Sequence, residues 1–184
     1  MKNSVKRYVL LNGVDTISKD CKFKENYIKI KKVNEKKILV LFLGRLEASK
    51  GVFFFLEAAL NIAKRYKKKI KFIIVGDGSL YKTIIDKIYK NNMNYNFEFL
   101  RNIPHSEVLQ LQSISDIYIS TNKDGNLSNA NLEAISSNDC MIIPAPNKKE
   151  KIDIKTSSYL KDSVIYYENE SVDDLTRKLQ FLLL

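Results

Sequence analysis

Arg45 and Lys50 stand five residues apart in the segment GRLEASKG, Gly44 to Gly51. An apolar run, Ile38 to Leu43, precedes them and a helical pattern follows. The spacing sets a guanidinium and an ammonium at the carboxyl end of a strand, beside the open N–H groups of a helix N-terminus. In an open α/β sheet anionic ligands bind there, and a phosphate gains from the dipole and from both side chains. The same residues also read as a basic surface loop with Arg45 paired to Glu47, since lysine is abundant along the whole chain.

Two later segments carry further chemistry. FIIVGDGSL, Phe72 to Leu80, is an apolar run ending in a Gly-Asp-Gly turn, where Gly76 and Gly78 permit the close approach that suits a diphosphate. NLSNANLEA, Asn126 to Ala134, is a polar loop running into a helix that carries Glu133. A carboxylate early in a helix and facing a cleft can bind a diol with both oxygens; the alternative is a solvent-facing glutamate. Ser128 and Asn129 suit either a ligand or the N-cap of that helix. His105 follows Pro104 at a helix start and reads as a surface or capping residue. Metal-site patterns are absent from the sequence, which has one histidine, two distant cysteines (Cys21 and Cys140) and no DxD triplet. Isolated thiols without CxxC spacing suit a reducing cytosol.

These positions need a scaffold, and short apolar strands alternating with amphipathic helices supply one. After Ile38–Leu43 comes a helix with Val52, Phe55, Leu56, Ala59, Leu60 and Ala63 on one stripe, closed by the cations Lys64, Arg65 and Lys67 to Lys69. Strand Ile70–Val75 leads to a helix face of Leu80, Ile84, Ile85 and Ile88. Further strands are expected over Phe97–Leu100, Asp116–Ser120, Met141–Ile143 and Val164–Tyr167, and helices over Ser106–Ser115, Ser128–Ser137 and Ser171–Leu184. Ser171 with Asp174 forms a capping-box pattern over the last. Pro144 to Leu160 reads neither way. Upstream, Lys6–Leu11 reads as a strand ended by the Asn12-Gly13 turn, and Asp15 to Lys37, polar and lysine-rich, as a connecting arm. The alternation implies right-handed β-α-β crossovers and a parallel sheet covered on both faces, a Rossmann-like α/β fold. In such a sheet the GRLEASKG, GDGS, RNIPHS and KDGNLSNAN loops share one rim.

At 184 residues the chain is one domain with an arm, large enough for a core. No apolar run approaches the roughly 18 residues of a spanning helix. A net charge of +10 invites a nucleic-acid reading. Neither a basic helix with base-reading residues nor an aromatic stacking motif supports it, and a general bias toward Lys, Asn and Ile explains much of the charge. Contact with an anionic membrane surface is the other expectation, because lysines near such a surface add about 1 kcal/mol each.

The ordered set NGVDT (Asn12 to Thr16), GRL followed by KG, VGDG, and NLSNANLEA has a known counterpart. From about Tyr8 to its C-terminus the chain resembles the donor-binding half of retaining GT-B glycosyltransferases of family 4, also called group 1. The resemblance implies a single GT-B half, with residues 1–37 as a strand and interdomain-linker-like arm and 38–184 as the nucleotide-sugar-binding domain. It implies transfer of a sugar from a UDP- or GDP-sugar to a glycan or lipid-linked acceptor, with neither cofactor nor metal. Arg45 and Lys50 would then hold the donor diphosphate and neutralise charge on the leaving nucleotide. Gly44, Gly76, Asp77 and Gly78 would shape the donor turn, the main chain at Asn102 and Ile103 would edge the base, and Glu133 would accept from the ribose hydroxyls.

Gly125 stands where the family's other acid is expected. Asp124, one residue early, or Asn126, Leu127, Ser128 and Asn129 with their backbone N–H groups, would handle the sugar instead. Arg101 replaces a family glycine, its side chain expected to point away from the base, and PAPNKKE replaces a glycine-rich turn. NGVD lies between two domains in that family, so the chain reads as the C-terminal half, needing an acceptor-binding partner subunit. The expected setting is cytoplasmic, with peripheral contact on the inner face of the membrane. The alternatives are a non-catalytic nucleotide-binding or scaffold module, or a truncated remnant of a longer enzyme. The apolar end, Phe181 to Leu184, predicts a partner, membrane contact or self-association there.

Overall fold

A computed structural model describes residues 13–14, 25–34, 36–122, 128–137, 140–147, 149 and 153–184. Its strands are β1 Ile38–Leu43, β2 Ile70–Val75, β3 Phe97–Leu100, β4 Ile117–Ile119, β5 Cys140–Pro144 and β6 Ile165–Tyr167. They form one sheet in the order β3-β2-β1-β4-β5-β6, and every neighbouring pair is parallel. The helices are α1 Glu25–Val33, α2 Val52–Arg65, α3 Tyr81–Lys90, α4 His105–Ile114, α5 Asn129–Ser136, α6 Ile154–Leu160 and α7 Val172–Leu182.

The composition of β1 explains the layering. Its sequence ILVLFL has no polar position because both faces are covered. Val40 and Phe42 pack with Phe55 of α2, Phe72 of β2, and Leu175 and Leu179 of α7. Leu41 packs the other way, with Ile73, Leu111, Tyr118 and Met141. On the first face Phe42 stacks on Phe55 with ring centroids 4.5 Å apart, and Phe72 on Phe97 at 5.0 Å. This is the Rossmann-like α/β fold the alternation predicts.

The chain runs outward from β1 through β2 to β3, then crosses back to β4 on the other side of β1. Loops leaving β1 and β4 therefore diverge, and a crevice opens between them at the carboxyl ends of the strands. Helix α7 begins as its sequence predicts, with the Ser171 hydroxyl accepting from Asp174 N at 3.2 Å. The Asp174 carboxylate accepts from Glu168 N rather than closing a reciprocal box. Leu183 continues the stripe of Leu175 and Leu179 into the core, while Phe181 and Leu184 are 72% and 92% exposed.

The expected connecting arm is corrected in part, because residues 25–33 form helix α1. Tyr27 and Ile30, one turn apart, pack on the same core cluster as Leu41, and Tyr27 is buried. Its hydroxyl donates to Glu107 of α4, and burial, reinforced by that carboxylate, pushes its pKa upward. Lys31 Nζ ties the helix to Ile114 O at 3.0 Å and to Asp116 at 3.3 Å. The short apolar face was masked by the lysines around it. Helix α6 occupies the end of the segment that reads neither way. The expected strand over Lys6–Leu11, with Asn12, Asp15 and Thr16, lies outside the described residues. Among the described residues no helix is long and apolar enough to cross a membrane.

Candidate functional site

The turns after β1 and β2 are sewn together before any side chain takes part. Gly44 N donates to Val75 O at 3.1 Å, Leu46 N to Asp77 O at 2.9 Å and Leu80 N to Leu46 O at 3.0 Å. This closeness dictates two glycines. A Cβ on Gly76, whose φ is +148°, would lie 1.9 Å from Gly44 O, and one on Gly78 would lie 2.5 Å from Leu46 O. Glu47 seals the same seam, accepting from Ser79 N at 2.8 Å and Ser79 Oγ at 2.5 Å. Those two bonds, with the nearby Arg45 charge, hold the Glu47 carboxyl below its usual range. Glu47 is thus committed to Ser79, and no ion pair joins it to Arg45.

Arg45 is exposed at the centre of the rim and borders two adjoining cavities. The larger, about 670 Å³, lies between the ends of β1 and β2, the segment after β3, and α5. Gly44, Gly76, Asp77, Asn102, Ile103 and Glu133 all line it. The smaller, about 230 Å³, sits at the β1/β4 divergence and is lined by Lys50, Thr121 and Ser128 among others. Lys50 is fixed through its backbone, its carbonyl accepting from Thr121 Oγ1 at 2.8 Å. Gly51 adopts φ +68° to start α2, and a Cβ there would meet Thr121 O at 2.7 Å.

Helix α5 is anchored so that its first turn faces this crevice. Ser128 caps it by accepting from Asn131 N, Gln112 Nε2 donates to Ala130 O, and Tyr118 OH donates to the buried Asn131 Oδ1 at 3.0 Å. Asn129 is exposed on the larger cavity. Glu133, whose side chain is only 7% exposed, reaches the same cavity and meets His105 Nε2 through Oε1 at 2.9 Å. Sequence reasoning assigned His105 to a surface or capping role. Its one-turn proximity to the RNI segment was the only available signal, and it did not reveal a partner on α5.

Arg101 turns onto α3, lying over the Tyr81 ring at 4.3 Å and donating to Asp77 Oδ2 at 2.7 Å. Asp77 also accepts from Gly78 N at 2.8 Å and Asn102 Nδ2 at 3.3 Å. The Arg101 bond, then that of Gly78, holds the Asp77 carboxyl below its usual range. Asn102 itself sits at φ +47°, a left-handed conformation asparagine tolerates better than most residues. Asp77 acts here as an organiser of the rim. Asp124, Asn126 and Leu127 lie outside the described residues.

The family description "Glycosyl transferases group 1" matches residues 23–183, nearly all of the described chain. The chain belongs to the group 1 glycosyl transferases. An uncharacterised glycosyltransferase of Methanocaldococcus jannaschii is 31% identical over 126 residues, covering 68% of this chain and 30% of that protein. A Campylobacter jejuni protein is 30% identical over 105 residues, covering 57% of this chain and 27% of its own length. It is named GalNAc-alpha-(1->4)-GalNAc-alpha-(1->3)-diNAcBac-PP-undecaprenol alpha-1,4-N-acetyl-D-galactosaminyltransferase. The group 1 chain thus spans about three tenths of the curated relatives it matches. Among solved structures, the C-terminal domain of the group 1 protein LpcC from Francisella tularensis aligns with a TM-score of 0.68 at 18% identity. That alignment covers 87% of this group 1 chain and 83% of the LpcC domain.

Proposed function

We propose that this chain is the nucleotide-sugar-binding half of a retaining, metal-independent glycosyltransferase. The observation that carries the reading is the placement of Arg45 and Glu133 on one 670 Å³ cavity at the carboxyl ends of β1 and β2. A cation and a carboxylate there match the diphosphate and the ribose of a nucleoside diphosphate. The diphosphate lies by Arg45, with Lys50 and the α5 N-terminus beside it, and the ribose hydroxyls donate to Glu133. The base rests on the main chain at Asn102 and Ile103. As the glycosidic bond breaks, negative charge grows on the departing diphosphate, and the fixed cations stabilise it without reorganising.

Membership in group 1 and the lipid-diphosphate acceptor named for the Campylobacter relative support an acceptor that is a glycan on a lipid carrier. The acceptor side belongs to a partner domain or subunit, because transfer requires both substrates held in near-attack geometry. The setting that follows is cytoplasmic, with peripheral contact at the membrane.

Calorimetry with UDP-, GDP- and ADP-sugars tests the reading. Binding of one class, lost when Arg45 or Glu133 is replaced by Ala, is the expected result. No binding to any of them at millimolar concentration overturns it.

A further inference from the structure

The end of the sheet opposite the donor rim carries a second charged surface. Three turns meet there, at the N-terminal ends of β1, β2 and β3. Ile38 N donates to Lys69 O at 2.8 Å, joining residues 36–38 to 67–69. Asn96 Nδ2 donates to Lys67 O at 2.8 Å, joining the third turn to the second. Lys37 Nζ stands 4.3 Å above the Tyr95 ring and closes the set. Residues 64–69 and 87–96 contain no acid, and Glu35 is the single acid in 34–37.

Two cations bordering this region are committed elsewhere, Arg65 to Gln180 and Lys87 to Glu57. Lys36, Lys37, Lys67, Lys68 and Lys69 make no ion pair among the described residues. Favourable placement at a helix C-terminus accounts for Lys64 and Arg65 in the last turn of α2. It does not account for three further lysines in the turn beyond, set against two more from the neighbouring turn.

Beside the lysines, Val33 is 73% exposed and Tyr95 64% exposed, both on the border of a cavity of about 520 Å³. A cationic surface flanked by an aliphatic and an aromatic side chain is the composition of a bilayer-interface contact, where charge and shallow apolar insertion act together. Base stacking fits less well, because one face of the Tyr95 ring is already occupied by Lys37.

We propose that this end of the domain, centred on Lys36, Lys37, Lys67, Lys68, Lys69 and Tyr95, docks on an anionic phospholipid surface. The proposal gives a definite face to the membrane contact suggested above. The strands between it and the donor rim are six residues long in β1 and β2, about 20 Å at some 3.3 Å per residue. Nucleotide binding and lipid docking therefore occupy separate ends of the domain and proceed independently.

The test is co-sedimentation of the full chain with vesicles of phosphatidylcholine alone and with rising phosphatidylglycerol, at low and high salt. Binding should appear with phosphatidylglycerol, weaken in salt and drop at least about tenfold when Lys67, Lys68 and Lys69 are replaced by Glu, about 1.4 kcal/mol. A charge-matched control replacing Lys82, Lys149 and Lys178 should retain most of it. A Lys67→Gln, Lys68→Gln, Lys69→Gln version serves if the Glu set fails to fold. Equal loss in patch and control variants, or no dependence on phosphatidylglycerol, overturns the proposal. Tighter capture by a single-stranded oligonucleotide than by the vesicles, lost in the same patch variant, overturns it in favour of nucleic acid. Nucleotide calorimetry on the patch variant is read separately. A wild-type chain that ignores nucleotides yet binds vesicles refutes the donor-binding reading and leaves this one standing.

Discussion

His105 Nε2 lies 2.9 Å from Glu133 Oε1, so a rim imidazole fixes one oxygen of a nearly buried carboxylate. Among the described residues the other oxygen, Oε2, has no partner. The pair presents a pre-oriented acceptor to a ligand hydroxyl. Glu133→Ala should weaken binding of the preferred nucleoside diphosphate by about 1.5–3 kcal/mol, as for a hydrogen bond to a charged group. It should also abolish any preference for the ribonucleotide over its 2′-deoxy counterpart. His105→Ala leaves the carboxylate in place but free to rotate, and should cost about 0.5–1.5 kcal/mol, the order of one immobilised side chain. Calorimetry of both variants with the two nucleotides separates these roles.

Much of this site was legible because strands and glycines have strong local signatures. The apolar run of β1 follows from sequence pattern alone, and Gly76 and Gly78 were legible as close-approach positions, but not that the neighbours they admit are Gly44 O and Leu46 O. The His105–Glu133 pair did not, because it joins residues on α4 and α5 whose meeting depends on the packing of two helices. Asp77 was legible as a rim residue, but its partnership with Arg101 depends on how the chain leaves β3. Helix α1 was hidden for a different reason. Among the described side chains Tyr27 and Ile30 carry its inward face, and a pair one turn apart is too short to register a period among so many lysines.

Gly76 offers a sharp test of the seam between the first two turns. Gly76→Ala places a methyl 1.9 Å from Gly44 O at a φ that L-residues avoid. It should destabilise the fold by about 3–5 kcal/mol, in the range reserved for backbone conflict. Gly44→Ala meets only the Phe42 ring at 3.7 Å and should cost under about 1 kcal/mol. Thermal or urea unfolding of the two variants, side by side, distinguishes close approach from mere glycine entropy.

Arg45 should act on the diphosphate and not on the nucleoside. Arg45→Ala is expected to weaken the preferred nucleoside diphosphate by about 1.5–3 kcal/mol, with little change for the parent nucleoside. Equal losses for both would place Arg45 against the base or ribose instead. Calorimetry with the diphosphate and nucleoside in parallel gives the difference directly.

The acid limb of stability should carry the mark of Asp77 and Glu47. Both carboxyls are held below their ordinary values of 3.8 and 4.5 in the folded chain, chiefly by Arg101 and by Ser79 respectively. A lowered folded pKa favours the folded state fully above the unfolded value, and the gain is lost as pH falls through the folded one. The double variant Asp77→Asn, Glu47→Gln should therefore show a flatter decline in Tm below about pH 4.5. Because both groups are open to solvent the effect should be small. A Tm series from neutral to acid pH, compared with wild type, checks the slope.

Thr121 connects the loop after β4 to the turn after β1, donating from Oγ1 to Lys50 O at 2.8 Å. Thr121 is buried and its carbonyl lies against Gly51, so the contact is shielded from water and fixes where α2 begins. Thr121→Val keeps the shape but removes the donor, leaving the Lys50 carbonyl one bond short. Stability should fall by about 1 kcal/mol, the usual net value of one hydrogen bond. If the bond positions Lys50 for the diphosphate, nucleotide affinity should fall as well, by about 0.5–1 kcal/mol, while Thr121→Ser should restore it. Loss of stability with unchanged affinity would show that Thr121 holds the start of α2 and does nothing for the ligand.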